Sequence, residues 1–223
     1  MQARFGIALA SAVAVVLVLG VSAGKSYAAK GECSIGGNFA AGIYSNKDLN
    51  DILKANTPPR KEVKSGWEYG GSFRYNVSNK LALDVEANAI KGSATTSDPA
   101  GDGDEKWRVQ GIAVPVNLYY ALSTNDSYAF NIFAGAGPML GSKLHASDNS
   151  DDVKTDSKTV FYGQGGLEGQ VLVSPKFAIT ARALGRIAKI KDPELSGTPL
   201  GIDLDLSGAA FGLGLRLMFG GGK

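Results

Sequence analysis

Residues 65–77 read Ser65-Gly66-Trp67-Glu68-Tyr69-Gly70-Gly71-Ser72-Phe73-Arg74-Tyr75-Asn76-Val77, an alternation of two kinds of position. Trp67, Tyr69, Phe73, Tyr75 and Val77 fall on one side of an extended chain, with Gly71 among them. Gly66, Glu68, Gly70, Ser72, Arg74 and Asn76 fall on the other. Successive side chains of a strand point to opposite faces, so the stretch predicts a strand with one oily and one ionic face. Residues 81–90 repeat the pattern: Leu81, Leu83, Val85, Ala87 and Ala89 oppose Asp84, Glu86 and Asn88. A carboxylate is costly to bury unpaired and an aliphatic side chain gains by leaving water, so the two faces meet different surroundings.

The same reading extends in both directions. Residues 34–44 set Ile35, Phe39, Ala41 and Ile43 against Ser34, Gly36, Asn38 and Gly42, and residues 111–122 place Ile112, Val114, Val116, Leu118, Tyr120 and Leu122 on one face. Residues 128–140 do so with Tyr128, Phe130, Ile132, Ala134, Ala136 and Leu140. Residues 159–173 oppose Phe161, Leu167, Val171 and Val173 to Tyr162, Gln164, Glu168 and Gln170, and residues 177–187 oppose Phe177, Ile179, Ala181 and Ala183 to Thr180, Arg182 and Arg186. Residues 203–219 end with Ala209, Phe211, Leu213, Leu215, Leu217 and Phe219 opposite Gly208, Gly212, Gly214 and Arg216. The expectation is an all-β chain of eight antiparallel strands. Short links of turn residues at 78–80, 123–127 and 174–176 alternate with long polar stretches at 45–64, 91–106, 141–158 and 188–202. Short turns at one rim and long loops at the other are the organisation of an up-and-down transmembrane barrel. Residues 46–56 carry Leu49, Ile52 and Leu53 at helical spacing and predict a short helix within the first loop. Pro115 lacks a ladder donor, and a bulge there would explain why Trp107 and Val109 fall out of phase.

Ahead of the strands, Arg4 precedes an apolar run over residues 8–21, and Ser26-Tyr27-Ala28 supplies the small residues a signal peptidase reads. This predicts a signal peptide over 1–28, a barrel over 29–219 and a tail over 220–223. A retained transmembrane helix is the alternative, disfavoured because alanine and glycine dilute the run and a processing site follows it. Lys30-Gly31-Glu32 does not have the character that precedes a lipid-modified cysteine, so Cys33 is not read as an anchor. No second long apolar run follows, so any membrane span of the mature chain must be a closed barrel. A net charge of +2 is too small to argue for nucleic acid, and one cysteine with one histidine excludes an intramolecular disulfide, a zinc cluster and multi-histidine metal sites.

Periodicity alone does not say which face points outward; a lipocalin-like soluble carrier would put the apolar face inside. Two features favour the inverted arrangement. Aromatics sit near strand ends on the apolar face, Trp67 and Tyr69 at one level and Tyr120, Tyr128, Phe177 and Phe219 at the other, as in two interfacial girdles. The opposite face mixes Glu68, Arg74, Asp84, Glu86, Glu168, Arg182, Arg186 and Arg216, acids and bases in equal number, which can pair inside a narrow lumen.

Residues 112–122, IAVPVNLYYAL, followed after a turn by residues 129–141, AFNIFAGAGPMLG, resemble paired strands of the outer-membrane-protein β-barrel group. From about Gly31 to Phe219 the chain resembles the small outer-membrane β-barrels of OmpA/OmpX type. Residues 211–219, FGLGLRLMF, are similar to the C-terminal signal read by barrel-assembly machinery, and depart from it by continuing through Gly220 to Lys223. The resemblance implies an outer-membrane location, contact with its lipid and assistance from that machinery.

Little in the sequence suggests chemistry. His145, beside Ser142 and Ser147, is the only imidazole. The acidic stretches 98–105 and 148–152 lack the spacing of a calcium loop. Gly135-Ala136-Gly137-Pro138 lies in a strand pattern with no helix after it, so it is not a phosphate cradle. The expectation is therefore no enzyme, no cofactor, no metal and no nucleic acid. The leading reading is a structural and surface-interaction barrel with a filled lumen; the alternatives are a narrow pore for ions or small solutes, a lipid-modifying enzyme and a soluble carrier.

Overall fold

The computed structural model describes residues 30–55, 60–97, 104–125, 127–147 and 152–220. The expected leader, residues 221–223 of the tail, and residues 98–103 and 148–151 of the acidic stretches lie outside the described residues. In chain order the elements are β1 (Cys33–Tyr44), α1 (Lys47–Ala55), β2 (Ser65–Asn76), β3 (Leu81–Ser97), β4 (Asp104–Ala113), β5 (Val116–Thr124), β6 (Tyr128–Ser147) and β7 (Asp152–Lys154). β8 (Lys158–Ser174), β9 (Phe177–Ile190), β10 (Glu194–Leu195), β11 (Thr198–Pro199), β12 (Leu204–Asp205) and β13 (Gly208–Phe219) complete them.

Each long strand pairs antiparallel with the next, and β4 and β5 together act as one strand between β3 and β6. β13 pairs with β9 on one side and β1 on the other, where Phe219 lies opposite Cys33 and Gly208 opposite Tyr44. The ring is therefore a closed eight-stranded antiparallel barrel, in which every strand has a ladder partner on both sides around the ring. Both ends of the barrel chain lie on the rim of tight turns. There the Ser78 hydroxyl accepts the Leu81 N–H at 3.0 Å, and the Asn125 side-chain Oδ1 accepts those of Ser127 and Tyr128 at 2.8 and 2.9 Å. Side-chain acceptors of this kind are what polar turn residues supply.

Three strands are longer than their alternation suggests. β3 runs on to Ser97, β4 begins at Asp104 instead of 111, and β6 continues to Ser147 instead of 140, so much of the expected loops at 91–106 and 141–158 is strand. The last strand is shorter than expected, beginning at Gly208, with β12 a separate two-residue ladder against β9. The expected bulge at Pro115 is also corrected. The ladder is interrupted between Ala113 and Val116, but inward and outward positions keep one parity from Trp107 through Tyr120. Trp107 and Val109 face inward because the interior itself becomes apolar at that height. The extra residue lies across the sheet at Gly141, where the β4–β6 register slips between Gln110–Lys143 and Ile112–Leu140. Gly141 has φ +61°, the left-handed conformation of a glycine bulge, and the inward parity of β6 changes from Met139 to Ser142 and Leu144. Pro115 is accommodated opposite Gly137, where a Cβ would come within 2.1 Å of the Val114 carbonyl oxygen.

The interior is stacked in tiers. Ala129, Leu172, Ala178 and Met218 form a small apolar layer at the tight-turn end. The middle is ionic. At the loop end Tyr44, Val63, Ile90, Val109, Met139, Leu144, Tyr162, Ile190, Leu204 and Leu206 form an apolar plug, into which α1 inserts Leu49 and Leu53. The helix is where the spacing of Leu49, Ile52 and Leu53 places it. Its seat is polar as well: buried Asn50 accepts the Val63 N–H at 2.7 Å and donates to the Val63 carbonyl at 3.4 Å, imitating a ladder pair.

Candidate functional site

All eight charged residues expected in the lumen point inward, and none is more than 9% exposed. They are Glu68, Asp84, Glu86 and Glu168 with Arg74, Arg182, Arg186 and Arg216, so the formal charges cancel. Arg74 is the hub. Its Nη1 and Nη2 donate to the two carboxylate oxygens of Glu168 at 2.8 and 3.1 Å, and its Nε donates to Asp84 Oδ2 at 2.9 Å. Arg216 donates to the same Asp84 oxygen at 3.2 Å and to the Ser34 and Ser72 hydroxyls at 3.1 Å. Arg182 Nη2 lies 2.9 Å from Glu86 Oε1 and its Nε 4.0 Å from Glu168 Oε2, while Arg186 pairs with Glu68 nearer the loop end. A buried charge is tolerated when it is paired and hydrogen-bonded, and the planar guanidinium fork bonds two oxygens at once.

Polar and aromatic residues fill the remaining space. Glu86 accepts from Asn88 Nδ2 at 2.7 Å and from Gln164 Nε2 at 3.3 Å, and Gln164 accepts the Tyr162 hydroxyl at 2.9 Å. The Arg74 guanidinium lies 3.6 Å above the Tyr119 ring, which stacks on Phe133 at 4.8 Å. Arg182 lies over Phe133 at 4.8 Å and Arg186 over Tyr44 at 4.9 Å. Tyr119 and Phe133 were not among the expected lumen residues. They alternate with outward-facing Leu118, Tyr120, Ile132 and Ala134, so parity was the only signal that separates them from the oily face. A cavity of about 30 Å³ at the tight-turn end, bounded by Ser34, Arg74, Gln170 and Arg216, has room for a water or two.

The outer surface is the reverse of the lumen. Ile35, Phe39, Leu83, Ile112, Val116, Leu118, Leu213, Leu215 and Leu217 are all exposed. Of the expected interfacial aromatics, Trp67, Tyr69, Tyr120, Tyr128 and Phe219 are exposed on this face and Phe177 is partly covered. Trp67 stacks on Phe39 at 5.2 Å. Ser142 is buried and donates to the Met139 carbonyl at 3.3 Å, whereas His145 has the opposite parity on β6, so these two do not form a nucleophile–base pair. Among the described residues no group of three or more His, Cys, Asp or Glu is arranged to hold a metal ion.

A closed barrel that is oily outside and ionic inside satisfies its whole backbone without water, which defines a transmembrane β-barrel. The chain matches the outer membrane protein beta-barrel domain over residues 11–219 and belongs to that family; it is an outer-membrane protein. No curated protein matches it. Among solved structures it is similar to the N-terminal barrel domain of OprF from Pseudomonas aeruginosa, at 14% identity over 86% of this chain and 99% of that one, with a TM-score of 0.46. It is also similar to Ail of Yersinia pestis, at 17% identity over 85% and 99% with a TM-score of 0.49. The Neisserial surface protein NspA gives 13% identity over 85% and 100% with a TM-score of 0.47. Likenesses this distant say nothing of activity.

Proposed function

We propose that the protein is a non-conducting, non-enzymatic barrel that anchors a loop surface on the outer membrane for structural and surface-interaction purposes. The observation that carries this reading is the neutral ion layer, four arginines against four carboxylates, spanning a lumen that eight strands leave only wide enough for side chains. An ion crossing it would have to displace charges that are already partnered. The apolar plug and α1 lie across the same path at the loop end. The oily face contacts outer-membrane lipid, with Trp67 and Tyr69 at one interface and Tyr120, Tyr128, Phe177 and Phe219 at the other. Loops are where binding specificity resides on such a scaffold. The leader 1–28 carries the chain to assembly machinery that reads the strand ending at Phe219.

Planar-bilayer recording of the pure, folded protein tests the reading. No discrete conductance steps are expected at either polarity. Reproducible unitary steps would establish the narrow-pore alternative and remove the plugged-lumen one.

A further inference from the structure

The four lumen arginines are not equally compensated. Arg74 holds Glu168 through two hydrogen bonds, Arg182 lies 2.9 Å from Glu86, and Arg186 is paired with Glu68. Arg216 has no carboxylate to itself. It meets Asp84 at 3.2 Å, through an oxygen that also receives Arg74 Nε at 2.9 Å. Its other bonds go to the neutral hydroxyls of Ser34 and Ser72. Its Nε has no hydrogen-bond partner among the described residues, although Arg216 is only 5% exposed. A guanidinium carries five N–H groups and bonds most strongly to an ionised acceptor, so a buried one short of anions attracts another.

Arg216 lines the cavity at the tight-turn end, and the charges on the walls of that cavity are unbalanced. Arg74, Arg216 and Lys80 line it, whereas Glu32 is the only acid among the described residues to do so. Asp84 and Glu168 are not on its walls, although they hold the same two guanidinium groups. Glu32 is only partly buried, where water screens it, and it already accepts from Asn76 Nδ2 at 3.4 Å. The neutral lining groups add donors. The Ser34 hydroxyl accepts from Arg216 and keeps its own proton to give. Gln170 is 2% exposed and its Oε1 receives no donor, so nothing on that atom stops the amide from turning its N–H group inward.

We infer that this cavity binds one small monovalent anion of halide size, chloride above all, held by Arg216, the Ser34 hydroxyl and the Gln170 amide. Chloride is little larger than a water molecule, and a cavity of about 30 Å³ takes an occupant of that size. A bulky anion such as gluconate does not fit. Exposed Lys80 supplies the attraction at the entrance. The partnered ion layer lies directly beyond, so the site is a dead end and not a stage of conduction. It goes beyond the anchoring role and uses none of the loop surface.

Two measurements on the folded barrel test the site. In crystals soaked with sodium bromide, an anomalous bromine peak is expected in the cavity, within hydrogen-bond distance of Arg216. Water density there without bromide overturns the site. Urea unfolding in lipid vesicles is then followed as chloride replaces gluconate at constant ionic strength. An anion that binds only the folded chain lowers the unfolding constant in proportion to its concentration once that exceeds its Kd. A tenfold rise in chloride is therefore expected to lower the constant about tenfold. Ala82 lines the cavity and is buried, so Ala82→Leu fills the space without removing a charge. That variant is expected to lose the chloride dependence. Equal dependence in both proteins overturns the site. So does no dependence in the wild type, which would confine bromide to crystal concentrations. If Ala82→Leu does not fold, the bromide peak and the wild-type chloride dependence decide, and absence of either overturns the site.

Discussion

Replacing Glu168 with alanine is expected to destabilise the folded barrel by about 3–5 kcal/mol, the cost of leaving a buried charge uncompensated. Glu168 receives two hydrogen bonds from Arg74 and lies 4.0 Å from Arg182, so its loss leaves four arginines against three carboxylates in the lumen. Apolar tiers flank the ion layer on both sides, and the cavity beside Arg74 and Arg216 holds only a water or two, too few to replace the carboxylate. The measurement is the urea midpoint of the folded, heat-modifiable band in detergent micelles or lipid vesicles. Glu168→Gln keeps the shape and two polar atoms, so its loss is expected to be smaller. The double variant Arg74→Met, Glu168→Met removes both charges of the bidentate pair and is expected to lose less than the sum of the single changes. A Glu168→Ala barrel within about 1 kcal/mol of wild type would show that the pairing contributes little, since that is the range of an exposed pair.

Leu213→Arg is expected to cost about 2–4 kcal/mol, the penalty for a cation near the middle of a lipid-facing strand. Leu213 is 49% exposed and lies on the outward face of β13 between Phe211 and Leu215. On a protein surface in water the same change would fall within about 0.5 kcal/mol. Urea titration of folding into vesicles measures the difference, and Leu213→Ala controls for the lost side chain. A neutral outcome would mean that water, not hydrocarbon, touches this face.

The sequence and the structure agree where the surroundings of a strand are constant along its length. β2 and the first half of β3 present an exposed oily face on one side and the ion layer on the other, so alternation in Trp67 to Tyr75 and Leu81 to Ala89 marks strand and face together. Legibility is lost where those surroundings change. Beyond the belt Lys106 and Arg108 face out while Trp107 and Val109 face an apolar interior, which inverts the contrast without changing the period. In β6 a bulge at Gly141 shifts the phase, so a period-two reading stops at Leu140 although the strand continues to Ser147.

The site divides in the same way. Each lumen charge was legible, because an ionised residue among alternating aliphatics can only face away from lipid. The pairing was not. Arg74 and Glu168 are 94 residues apart, and their meeting depends on the stagger with which eight tilted strands close. The stack of Tyr119 on Phe133 was also hidden, since an aromatic ring suits either face of such a wall.

A nitroxide attached at Leu215→Cys in a Cys33→Ser background, with the barrel folded into lipid vesicles, most directly tests whether hydrocarbon covers the oily face. Power saturation with molecular oxygen, which partitions into hydrocarbon, is compared with that by a polar nickel chelate, which stays in water. The label is predicted to be relaxed strongly by oxygen and hardly at all by nickel. Stronger relaxation by nickel than by oxygen would place Leu215 in water and contradict the transmembrane account of the barrel.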